Sequence, residues 1–66
     1  MTRKRQDWTN QVLFAGIDLH KSKWVITVRT HEVVLKTFVT VAEKDVLLKS
    51  FQHQWPGAAI YAVYEA

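Results

Sequence analysis

Asp18 and Glu65 are the residues of this chain most suited to doing chemistry. Each closes an apolar segment: Asp18 follows V-L-F-A-G-I at residues 12–17, and Glu65 follows I-Y-A-V-Y at residues 60–64. A carboxylate at the end of an apolar strand is a ready ligand for a hard cation. If the two strands lie side by side and parallel, their ends coincide about 4.8 Å apart, within reach of one ion. Two carboxylates that close repel each other, and a cation between them relieves the repulsion. Mg²⁺, or Mn²⁺ in its place, suits such a pair, because it takes oxygen ligands and is often held by one or two carboxylates together with substrate phosphates. A basic turn follows the first carboxylate: His20, Lys21 and Lys23 stand in D-L-H-K-S-K. Lysines meet phosphate as point charges. The plainer reading stands beside this one. Asp starts many turns, turn lysines are commonly solvated, and His20 has no companions at the spacing of a metal-binding cluster.

Other chemistries find no support. The chain has no cysteine, which rules out disulfides and thiolate metal sites. It has no G-x-x-x-x-G-K-[ST] phosphate loop, and no serine with a histidine and an acid in a recognisable triad pattern. The apolar runs are strand-length, far short of the ~20 residues that span a bilayer. The basic start, M-T-R-K-R-Q-D-W, leads into no long apolar core as a signal peptide would. A soluble, cytoplasmic protein is the expectation, with no membrane partner. The formal charge of +3 is concentrated at Arg3, Lys4, Arg5, Lys21 and Lys23, which is compatible with a nucleic-acid partner.

The elements that must position these residues can be read from periodicity. Residues 1–11 form a basic polar leader in which Trp8 is the large apolar group able to dock on the body, and residues 12–66 form the folded part. Residues 12–17 are continuously apolar, as in a central strand buried on both faces. Gly16 near its end suggests a close approach by another backbone or a ligand. K-W-V-I-T-V-R-T at residues 23–30 alternates, with Trp24, Ile26 and Val28 on one face, and the short turn before it implies an antiparallel hairpin. V-V-L-K-T-F-V at residues 33–39 gives a third strand, with Val33, Leu35, Thr37 and Val39 on one face and Lys36 on the other. Thr40 and Glu43 have the T-x-x-E spacing of a capping box, and Asp45 favours the first turn of a helix. Leu47, Leu48, Phe51 and Trp55 then fall in one helical stripe, which W-P-G stops. Residues 58–66 supply a fourth strand, with Tyr61 and Tyr64 on opposite faces. The order is β-β-β-α-β. The helix carries the chain over the sheet, so the fourth strand returns parallel to a neighbour, and the fully apolar first strand is the expected one.

At F-A-G-I-D-L-H-K-S-K-W-V-I-T-V and I-Y-A-V-Y-E-A the sequence resembles the N-terminal catalytic domain of the DEDD transposases of bacterial insertion sequences. These form the insertion-sequence one-ten family, which includes the Piv-type DNA invertases. The resemblance covers residues 12–66. Asp18 matches the first acid of that family's tetrad, Glu65 the second, and His20 with Lys21 the turn after the first. It implies a partial RNase H-like (RuvC-like) α/β fold with a mixed sheet and divalent-metal-dependent cleavage and rejoining of DNA (RNA being a further possible partner). It also implies that Asp18 and Glu65 are catalytic metal ligands, with His20, Lys21 and Lys23 contacting nucleic acid. The family's other two aspartates and its second domain fall after the position of Glu65. The expectation is therefore an N-terminal portion of a transposase, inactive alone and binding Mg²⁺ weakly. With a single helix on a four-stranded sheet and a bare fourth strand, a homo-oligomer is expected.

Two rivals remain. An actin-like or sugar-kinase ATPase fragment also opens with G-I-D and a hairpin, but its turn needs small residues near the phosphates, where this chain has L-H-K-S-K. A non-catalytic module that binds nucleic acid or protein is also compatible. It predicts that Asp18→Ala leaves binding unchanged or strengthened.

Overall fold

Strand β1 (Val12–Leu19) is the organising element, because both of its edges are paired. In the computed structural model, which describes residues 8–65, it pairs antiparallel with β2 (Lys23–Arg29). The turn between them closes through the His20 N–H, which donates to the Lys23 carbonyl at 3.1 Å. β3 (Val34–Val41) adds antiparallel to β2. Its turn is held by the Thr30 hydroxyl, which accepts from the Glu32 and Val33 N–H groups at 3.1 and 3.0 Å. Helix α1 (Lys44–Gln54) then crosses over, and β4 (Ala59–Glu65) lies parallel to β1 on its free side. The sheet order is β3-β2-β1-β4. This is a mixed α/β sheet in the expected β-β-β-α-β order, with the fourth strand beside the first.

One face of the sheet is covered. Leu13, Ala15 and Ile17 of β1 and Ile26 and Val28 of β2 are buried beneath Leu47 and Phe51 of α1 and Trp55 just after it. Trp8 packs against this core, as the leader's apolar residue was expected to do. The helix stops where W-P-G demands. Gly57 takes φ +88°, and a Cβ there would stand 2.7 Å from the Thr9 Oγ1. The Ala59 N–H then donates to the Gln11 carbonyl at 2.9 Å and starts the β4 pairing.

Four local expectations are corrected. β1 is not buried on both faces: Val12 and Phe14 are 45% and 41% exposed, because no second layer of the described residues covers the far side. Thr40 is not a helix cap. It belongs to β3, paired with Trp24, and its hydroxyl donates to the Val41 carbonyl; the helix N-cap is Glu43, without a side-chain cap bond. The sheet ladder has claimed the residue that the capping box would have used. Leu48 is half exposed, because α1 leans toward β3 and turns this edge of its stripe to open space above β4. Leu35 does not share a face with Thr37 and Val39. The β2–β3 register shifts at Val28 and Arg29, and this bulge turns Leu35 onto the core beside Phe38.

Candidate functional site

The β1–β4 register runs from Val12 opposite Ala59 to Asp18 opposite Glu65. The two acidic residues are thus direct neighbours at the C-terminal end of adjacent parallel strands. Alternation places both on the uncovered face, since Ile17 next to Asp18 is buried in the core. Both are exposed. The same alternation brings Gly16, across from Val63, and Lys23, two positions before Val25, which pairs with Asp18, to that face. A Cβ at Gly16 would meet nothing within 4 Å. No backbone of the described residues therefore crowds this glycine, contrary to one half of its sequence reading. The strip leading to the carboxylates is open.

On the covered face, directly beneath this pair, the strand ends are braced. Trp24 of β2 and Tyr64 of β4 meet edge to face across β1, with ring centroids 6.3 Å apart. The contact runs diagonally over β1, between Ile17, which is opposite Tyr64 and fully buried, and Leu19, which is opposite Trp24. An aromatic contact of this type adds roughly 0.5–1.5 kcal/mol beyond its area. It fixes the strands on either side of Asp18 relative to one another.

His20 stands at the start of the turn, with Nε2 3.3 Å from Asp18 Oδ2 and both side chains more than half exposed. Sequence reasoning treated His20 as a solvated turn residue with phosphate as its possible contact and missed this carboxylate contact. The D-x-H spacing was the available signal, since residues two apart at a strand end share a side. Lys21 and Lys23 are exposed at the same end of the sheet. Arg3, Lys4 and Arg5, the other basic group in the sequence, lie outside the described residues.

As a metal site the arrangement is partial. Among the described residues no group of three or more His, Cys, Asp or Glu side chains is gathered to hold an ion. Two adjacent carboxylates nevertheless have the donor chemistry of a hard divalent cation, which commonly takes one or two protein carboxylates and completes its shell with water and phosphate. Two concavities among the described residues lie elsewhere. A hollow of about 710 Å³ at the opposite end of the sheet is lined by Trp8, Leu35, Lys36, His53 and Trp55. A groove of about 370 Å³ runs between α1 and β4. No helix among the described residues is long and apolar enough to cross a membrane. The chain matches no family model, no curated protein and no solved structure.

Proposed function

We propose that residues 12–66 are the opening portion of an RNase H-like catalytic domain that binds DNA and processes it with a divalent metal, in the manner of the DEDD insertion-sequence transposases it resembles. One observation carries this reading: Asp18 and Glu65, the two acids that match the family's motif, are register neighbours at the ends of adjacent parallel strands. Asp18 and Glu65 would hold Mg²⁺ or Mn²⁺ between them. Bound there, such an ion supplies Lewis-acid polarisation of a phosphate and a more acidic water. The chain's own residues do the rest. Lys21 and Lys23 attract the phosphate backbone. His20 orients the Asp18 carboxylate through its contact at 3.3 Å. Gly16 leaves the approach to both acids unobstructed. Two carboxylates supply only part of an octahedral shell, so the chain on its own is expected to bind metal weakly and to cleave no DNA.

The test is fluorescence anisotropy on a labelled DNA duplex, with and without Mg²⁺. The proposal expects Mg²⁺ to tighten binding, and Asp18→Asn or Glu65→Gln to abolish that increment while leaving circular dichroism unchanged. If the variants bind as well as the parent or better, and Mg²⁺ makes no difference, the carboxylates are not metal ligands. The chain would then be a basic binding module. Robust nicking by the pure parent chain would contradict the expected inactivity.

A further inference from the structure

The hollow at the end of the sheet opposite the two acids has a chemistry of its own. It lies against β3, the edge strand remote from β4. Its walls are the Trp8 side chain, Leu35 and Lys36 of β3, and the end of α1 with Trp55 and Pro56 after it. Its volume of about 710 Å³ is that of a small-molecule or cofactor site. None of its described lining residues is acidic, while Lys36 and His53 are basic.

Lys36 is the informative residue. It pairs with Val28, which is fully buried in the core, so it stands on the helix side of the sheet. Its Nζ donates to the Gln54 Oε1 and lies 5.8 Å from the centroid of the Phe38 ring. Gln54 is held in turn, its Nε2 donating to the Ser50 Oγ at 2.8 Å. Neutral groups thus place the ammonium, and among the described residues no carboxylate pairs with it. A lysine ammonium has three donors. Gln54 takes one, which leaves the others and the whole positive charge for an anion. Trp8 supplies a different surface. It packs against the core yet remains half-buried, and its carbonyl accepts from the Gln11 N–H at 3.0 Å, which fixes the backbone there. A fixed cation and a partly open indole therefore line one hollow. The chain entering Trp8 also carries Arg3, Lys4 and Arg5, which suits an anionic partner.

We propose that this hollow takes an unpaired nucleotide of a single strand, its base on the Trp8 indole and its phosphate at Lys36. Every base has a face that stacks on an aromatic ring, and cations beside the ring track the backbone. A duplex offers the phosphate but keeps its bases stacked on one another, so it satisfies only half of this site. The site uses neither Asp18 nor Glu65, and it needs no metal.

Anisotropy of a short labelled oligothymidylate in the presence of EDTA tests it, so that the outcome is separate from that of the carboxylate pair. The parent chain is expected to bind the single strand and to prefer it over a duplex of equal phosphate number. Lys36→Gln is expected to weaken binding and to lower the salt slope by about 0.7, as for one phosphate contact on a single strand. Trp8→Leu keeps an apolar group against the core, and is expected to weaken binding about tenfold through loss of stacking. Amide shifts on titrating the oligothymidylate are expected at Trp8, Leu35, Lys36, His53 and Gln54. An unchanged affinity and slope in Lys36→Gln would overturn the proposal, and this exposed position serves even if Trp8→Leu fails to fold. So would equal binding of the duplex, no binding in EDTA, or shifts confined to the end of the sheet that carries Asp18 and Lys23.

Discussion

The two glycines make opposite demands. At Gly57 the backbone is left-handed, with φ +88°, and a Cβ would press on Thr9. Gly57→Ala is expected to destabilise the fold by about 1–3 kcal/mol, read by urea denaturation, because it combines a strained conformation with a steric clash. At Gly16 there is open space and an ordinary strand conformation. Gly16→Ala is expected to stabilise by about 0.5–1 kcal/mol in the same experiment, since a glycine inside a strand is entropically costly. If Gly16→Ala stabilises the fold but weakens DNA binding, the residue serves the approach to Asp18 and not the fold. Lys23 shares the face of the two acids. Lys23→Ala should weaken DNA binding uniformly across sequences and lower the salt slope by about 1, as for a single phosphate contact. No change in slope would remove Lys23 from the interface.

At the scale of elements, α1 is the one helix over the core among the described residues, and its stripe is uneven. Leu47 is 2% exposed and Leu48 is 50% exposed. Leu47→Ala is expected to cost about 2–5 kcal/mol, while Leu48→Ala should stay within about 0.5 kcal/mol. Equal costs would mean that the helix sits differently on the sheet. This contrast marks the limit of what could be read in advance. Leu47 and Leu48 satisfy the same helical stripe, and only the tilt of the helix toward β3 separates them. The strand order was legible because a single run, residues 12–17, is apolar enough to be central and the helix must return the chain beside it. The burial of that run on two faces was misread, since an apolar side chain on an uncovered face looks the same in sequence as one in the core. Thr40 was misassigned for a different reason. T-x-x-E is a local signal, and pairing of Thr40 with Trp24 is a non-local competitor that it cannot reveal.

For the whole molecule, the site depends on a coincidence of distant parts. Asp18 and Glu65 are 47 residues apart in the chain and direct neighbours in the sheet. Their meeting was legible once β4 was set parallel to β1, but the bracing of that meeting by Trp24 and Tyr64 was not. Tyr64 was read simply as one of two tyrosines on opposite faces. Nothing in a strand pattern says which aromatic reaches across a neighbouring strand. A core this small leaves little reserve, with total stability on the order of 0.05–0.15 kcal/mol per residue. Strand ends held by one aromatic pair are therefore a sensitive point. The most direct measurement is a Mn²⁺ titration of the ¹⁵N-labelled chain followed by amide line broadening. The account predicts selective broadening at Asp18, Leu19 and His20 together with Tyr64 and Glu65, well before any other acid responds. Equal broadening around Glu32, Glu43 and Asp45, or none at the paired strand ends, would contradict it.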